Sequence, residues 1–139
     1  MTSKRRKTGD EPLRGQPCPN CGVKHRTRTP NECADYGMSE ATLNDRALYR
    51  FNKYHWKHAH SAKVETPQGW RTAMSEGWPD HFLMRERDQR VLVIELKREG
   101  EEPDPKQLEW LVLFNLVGIP AVVIKPSDLR TGKLDAILR

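Results

Sequence analysis

The stretch from Arg90 to Ile124 leaves this chain very few folds. It reads as strand, helix, strand: Val91-Leu-Val-Ile94 leads into Glu95-Leu-Lys97, Asp104-Pro105 opens a helix, and an apolar run follows from Ile119 to Ile124. Asp104 is an N-cap type, Pro105 loses no hydrogen bond at a first helical position, and Gly118 suits the left-handed residue that closes a helix. Strands joined through a helix run parallel with a right-handed crossover, and a wholly apolar strand such as 119–124 is expected inside a sheet. The fold class expected is α/β, a mixed β-sheet flanked by helices.

Other elements follow from the same signals. Ser39 is an N-cap type, and Leu43, Ala47, Leu48, Phe51 and Tyr54 recur at helical spacing, predicting a helix to about His58. A strand is expected around 59–65, then a turn at Pro67-Gln68-Gly69. Residues 81–85 and 90–97 read as an antiparallel hairpin about the charged turn 86–89. The helix at 105–117 carries Leu108, Trp110, Leu111, Val112, Leu113, Phe114, Leu116 and Val117, predicting burial on more than one side. A short helix at about 131–138 should return Leu134, Ile137 and Leu138 to the core.

Asp80, Glu95 and Lys97 carry the chemistry. Residues two apart on a strand share a face, roughly 7 Å along it. Glu95 and Lys97 therefore project together, opposite Leu92, Ile94 and Leu96. An uncompensated carboxylate in so apolar a strand is costly, which argues for a partner. Asp80 follows Gly77-Trp-Pro at the mouth of the hairpin, so two carboxylates and an ammonium converge at one rim of the sheet. That set suits magnesium (or manganese), which takes oxygen ligands, with the backbone carbonyl of Leu96 as a third donor. The ion would activate a bound water, and Lys97 would orient it or stabilise charge at phosphorus. The plainer reading is a solvated pair of charges at a strand end.

Gly77-Trp-Pro-Asp80, Glu95-Leu-Lys97, Gln107-x-x-Trp110-Leu, Gly118 and Pro126-Ser-Asp-Leu129, in that order, resemble the VRR-NUC branch of the PD-(D/E)xK nuclease superfamily over residues 39–139. The resemblance implies a restriction-endonuclease-like αβββαβ core and divalent-metal-dependent cleavage of DNA, including branched DNA in some members. It makes Asp80 and Glu95 metal ligands, Lys97 the catalytic lysine, and Gln107 the helix glutamine that faces the active site. Glu40 matches an acid that many members place at the start of the first helix; a first-turn glutamate also simply complements the helix dipole. A histidine often precedes the first strand in such domains, and His55, His58 and His60 all stand near that place. The expected activity is endonucleolytic hydrolysis of DNA, at junctions or flaps, in phage or bacterial recombination or repair. Cutting both strands symmetrically calls for a homodimer. The alternative is a catalytically silent DNA-binding accessory protein on the same scaffold.

The N-terminal quarter differs in character. Cys18-Pro-Asn-Cys21 has the spacing that lets two thiolates reach one tetrahedral ion, and His25 and Cys33 could complete a zinc site. A reduced, metal-free cysteine pair is the competing reading. Residues 1–33 hold eight Lys/Arg and three acids, whereas the other 106 residues carry sixteen of each, so the whole net charge of +5 sits here. Lys4, Arg5, Arg6, Lys7, Lys24, Arg26 and Arg28 are the candidate nucleic-acid contacts, since a cationic arm on a neutral body fits a polyanion. A solubilising tail that binds nothing specific is the alternative. The organisation expected is a disordered basic arm at 1–16, a zinc-binding segment at 17–36 and a nuclease-like domain at 39–139. With 139 residues the chain can bury one modest core. No run approaches roughly 18 apolar residues, so neither a membrane span nor a signal peptide is expected. Three clustered cysteines suit a reducing compartment, here the cytoplasm of a bacterial or phage-infected cell.

Overall fold

The structure, a computed structural model, describes residues 9–139 apart from 62 and 73. Along the chain lie α1 (Pro30–Gly37), α2 (Glu40–Lys53), β1 (Lys57–His60), β2 (Lys63–Thr66), β3 (Gly69–Thr72), β4 (His81–Arg85), β5 (Arg90–Leu96), α3 (Pro105–Leu116), β6 (Ala121–Ile124), α4 (Pro126–Arg130) and α5 (Lys133–Leu138). Among the described residues β1, β4, β5 and β6 form one sheet in that order, and β2 and β3 form a separate ribbon. The β1–β4 and β4–β5 pairs are antiparallel, and β5–β6 is parallel, with α3 as the crossover. Taken as α2, β1, β4, β5, α3, β6, this is the αβββαβ mixed-sheet core expected of the sequence. No helix among the described residues is long and apolar enough to cross a membrane.

Side-chain alternation along β5 divides the core in two. Leu92, Ile94 and Leu96 face α2 and α5, packing with Leu43, Ala47, Phe51, Leu134 and Leu138. Val93 faces the other way onto Leu111 and Phe114 of α3, with Trp78, Phe82 and Trp110 around them. Burying each large aliphatic or aromatic side chain contributes about 1.5–3 kcal/mol, so both faces are needed to hold a sheet this small. Asp104 caps α3 by accepting from Gln107 N, and Gln107 Oε1 accepts in return from Asp104 N.

Several elements depart from expectation. The helix begun by Ser39 stops at Lys53, because His55 takes a left-handed conformation (φ 62°) that turns the chain inward. Trp56 is thereby buried, and its Nε1 donates to Leu138 O at 2.9 Å. The single strand expected at 59–65 is two, β1 in the main sheet and β2 in the ribbon, with the turn falling at Pro67-Gln68 as read. β6 lies at the sheet edge rather than inside it; its apolar residues serve the two packed faces. Only one side of α3 is buried, and Leu108, Val112, Leu113, Leu116 and Val117 are exposed. The C-terminal helix stands where expected, as α5, but a further short helix, α4, precedes it, the two parted at Gly132 (φ 81°).

Candidate active site and metal centre

Gly77-Trp-Pro-Asp80 is pinned to the first turns of α3, and that contact aims Asp80. Gly77 has φ 82°, and a Cβ there would stand 2.6 Å from the Lys106 carbonyl carbon, so only glycine allows the approach. Trp78 packs edge-on to Trp110 and Phe114, with ring centroids 5.0 and 5.4 Å apart, and Trp110 Nε1 donates to Glu76 O. Asp80 then sits at the head of β4, and its Oδ2 accepts from Leu96 N at 2.8 Å.

Glu95 lies on the α3 side of β5 and is only 1 % exposed. Its Oε2 accepts from Asp80 N at 3.1 Å, its Oε1 accepts from Gln107 Nε2 at 2.9 Å, and Lys97 Nζ stands 3.8 Å from Oε1. The structure therefore brings Asp80, Glu95, Lys97 and Gln107 together. Burial pushes the Glu95 carboxyl up to about 8, the Asp80 charge adds to that, and the Lys97 ammonium pulls the other way. Two close carboxylates with one ammonium are under-compensated, and a divalent cation is the species that would relieve them. The donor set fits such an ion: Asp80 lines one cleft with Leu96, and the Glu95 carboxylate is hydrogen-bonded to Asp80 N.

That cleft is walled by Glu40, Asn44, His60, Ser61, Asp80 and Leu96. Glu40, the first residue of α2, is thus beside Asp80, with Asn44 one helical turn further along the same face. Of the three histidines in question, His60 reaches the cleft; His58 lies half-buried on β1, and His55 is exposed in the turn. His81 was not singled out by the sequence. It is fully buried, its Nε2 donates to Asn44 Oδ1 at 2.7 Å, and its ring stacks on His60 at 4.6 Å. Burial, then the nearby His60 and His58, hold its pKa down to about 3, so it is a neutral strut behind the cleft. The i, i+4 spacing of Glu40 and Asn44 is the one sequence signal that points to this second layer.

The second cluster is in the N-terminal segment. The ligand atoms of Cys18, Cys21, His25 and Cys33 all lie within 4.8 Å of one another, with Cys21 Sγ 3.1 Å from His25 Nε2. Asn20 N donates to Cys18 Sγ, Gly22 N donates to Cys18 O, and Gly22 takes φ 72°, a tight turn that holds both thiols to one side. Cys33 is delivered by the first turn of α1, which Thr29 caps. Hydrogen bonding to Cys21, then burial, push the Cys33 thiol up to about 11. At Cys18 burial opposes ionisation, but the Asn20 and Cys21 backbone bonds prevail and its pKa falls. Three thiols and an imidazole this close fit a zinc ion.

Residues 9–16 fold onto this segment rather than trailing from it: Leu13 packs on Cys18 and Cys33, and Gly9 O accepts from Asn31 N. The segment is fastened to the sheet domain through α1. Arg130 donates to Asp35 from Nε and Nη2 at 3.0 and 2.9 Å, and Tyr36 lies so close to Gly100 that a Cβ there would meet its ring at 2.9 Å. Lys24 and Arg26 are exposed, and the Arg28 guanidinium covers the Tyr36 ring at 4.4 Å. Lys4, Arg5, Arg6 and Lys7 lie outside the described residues.

A family model described as VRR-NUC domain matches residues 16–128. The match includes the Cys/His segment, which the motif resemblance over 39–139 leaves out. Among solved structures, a chain titled VRR_NUC domain superposes with a TM-score of 0.51 at 23 % identity, covering 71 % of this chain and 92 % of that one. At that identity the likeness speaks for the fold. Comparison with curated proteins returns no match.

Proposed function

Since the chain belongs to the VRR-NUC domain family, whose domains are of nuclease type, we propose that it is a divalent-metal-dependent endonuclease that hydrolyses DNA phosphodiester bonds. The observation that carries this reading is the buried Glu95, hydrogen-bonded to Asp80 and Gln107 and ion-paired with Lys97. Asp80 and Glu95 would hold magnesium or manganese, with the Leu96 carbonyl as a further donor. When bound, such an ion lowers the pKa of a coordinated water and neutralises charge gathering on the phosphate.

The chain's own groups do the rest. Lys97, partly exposed above Glu95, can donate to the attacking water or to a phosphate oxygen as negative charge grows there. Gln107 fixes the rotamer of Glu95 from the helix side, so the carboxylate meets its ligand pre-oriented. Glu40 adds a third carboxylate to the lining of the cleft, where a bridging water would carry its contact to the same ion. The zinc-ready segment, with exposed Lys24 and Arg26, serves as a docking surface for the DNA backbone. We assign the substrate as DNA with branches or flaps, cut by a homodimer during phage or bacterial recombination or repair.

The test is a panel of labelled duplex, flap, fork and four-way-junction DNAs incubated with and without magnesium. The wild-type protein should cut at least one of them only with the metal. Asp80→Ala and Lys97→Ala should each abolish cleavage while folding and DNA binding stay nearly intact. Robust cutting by either purified variant overturns the assignment. Tight binding with no cutting by the wild type would instead establish the silent accessory protein.

A further inference from the structure

Among the described side chains, none of the ribbon of β2 and β3 joins either packed face of the sheet domain, yet the ribbon is rooted at the cleft. The chain leaves β1 at Ser61, whose N–H donates to Asp80 O at 3.0 Å and which lines the cleft beside Asp80. β2 begins two residues later, and after β3 the chain comes back through Gly77-Trp-Pro to Asp80 itself. The turn at the far end is closed by Thr66 Oγ1 donating to Gly69 O, with Gly69 at φ 106°.

One residue of this ribbon stands out. Trp70 faces Glu65 across the ribbon, one pair below the turn, and is 67 % exposed. The other three tryptophans are used by the fold: Trp56 is buried under Arg85, and Trp78 and Trp110 pack with Phe114. Trp70 has no ring or cation–π partner among the described residues. From Trp70 to the ribbon's root at Thr72 is two strand residues, roughly 7 Å, or about two base steps along a nucleic-acid strand.

We propose that Trp70 stacks on an unpaired base of the DNA strand held in the Asp80 cleft, so that the ribbon selects substrates with a single-stranded segment beside the cut. This rests on the nuclease reading above and adds its substrate preference. An indole face accepts any base, since every base presents a π surface, so the selection is for unpaired structure rather than sequence. A paired base keeps its own stack and offers Trp70 nothing.

The experiment compares wild type, Trp70→Ala and Trp70→Phe as full chains, checked for equal melting temperature. Tryptophan fluorescence is titrated with a single-stranded oligodeoxynucleotide in buffer without added divalent metal, and cleavage of a flap is then compared with cleavage of a blunt duplex. Wild-type emission should be quenched, and Trp70→Phe should lose most of the quench while keeping most of the affinity. Trp70→Ala should bind the oligonucleotide about tenfold more weakly and lose a similar factor in its flap-to-duplex cleavage ratio. Unchanged affinity in Trp70→Ala, or an equal loss on single strand and blunt duplex, overturns the proposal. So does a Trp70-dependent self-association without any quench, which would make the tryptophan a contact between copies. A Trp70-dependent quench in a protein that cuts nothing with magnesium upholds the stacking and refutes the nuclease reading. Magnesium-dependent cutting indifferent to Trp70 does the reverse.

Discussion

Glu95 sets the pH behaviour of the metal-free protein. Its carboxyl moves from an ordinary 4.5 to about 8 in the fold, through burial and then the Asp80 charge. Between those values the native state keeps a proton that the unfolded chain has released, so stability falls as pH rises through that window. His81 acts in the opposite sense. Its pKa drops from 6.5 to about 3, so below 6.5 the unfolded chain binds a proton the native state excludes, and stability falls as pH drops. Urea unfolding across pH should show the alkaline-side decline vanish in Glu95→Gln; an unchanged slope would mean Glu95 is ionised in the fold. Gln107 has two tasks, capping α3 through Oε1 and holding Glu95 through Nε2. Gln107→Glu keeps the cap acceptor but sets another carboxylate against Glu95, so cleavage should fall about tenfold or more with little change in unfolding midpoint, the loss expected for one hydrogen bond to a charged group. Asp80, Glu95 and Lys97 were legible because strand alternation alone places the last two on one side. His81 and Asn44 were not, since their contact joins residues on two elements that only the folded packing brings together.

At the scale of elements, β4 and the ends of α2 and α5 are tied by one buried cation. Arg85 Nη1 donates to Tyr54 O and Leu138 O at 3.0 and 2.8 Å, Nη2 reaches Arg139 O and Asp88, and the guanidinium lies 4.3 Å over Trp56. Arg85→Ala strips Tyr54 O of its donor and leaves Leu138 O to Trp56 Nε1 and Arg139 O to Arg90 Nη1, and it should cost about 3 kcal/mol in chemical denaturation. Arg85→Lys should recover little, because an ammonium cannot reproduce the fork. A loss under about 1 kcal/mol in Arg85→Ala would show that water replaces the guanidinium freely. Caps and turns made α3, the β4–β5 hairpin and the parallel β5–β6 pair readable from residues such as Asp104, Pro105 and Gly118. The end of α2 was not readable, because the apolar spacing runs on through Tyr54 while a left-handed His55 breaks the helix. The orientation of α3 was missed for a related reason. A helix apolar all round does not say which side meets the sheet, and here Leu116 is left 77 % exposed.

That exposed stripe belongs to the whole molecule. Leu108, Val112, Leu113, Leu116 and Val117 form an apolar face on a chain proposed to act as a homodimer, and a twofold contact between copies of α3 would cover it. Sedimentation should show a dimer for the wild type and a monomer for Leu116→Glu; a wild-type monomer at every concentration would end the dimer proposal. The N-terminal segment adds a second, separable centre. Elemental analysis should find about one zinc per chain, as the tetrahedral donor set implies, and Cys33→Ser should lose it. Removal of that ion should loosen residues 9–37 in hydrogen exchange while the sheet stays protected, because α1 meets the sheet domain mainly through Asp35 and Tyr36. Folded, metal-free protein with three freely titrating thiols would reject the zinc.

Diffraction from crystals grown with manganese, collected at the manganese absorption edge, tests most directly whether the acids of the cleft share an ion. One anomalous peak should stand in contact with carboxylate oxygens of both Asp80 and Glu95, distinct from any peak at the cysteines. Density showing the cleft empty of metal while the same preparation cuts DNA, or an ion bound elsewhere on the sheet, would contradict the proposed chemistry at its root.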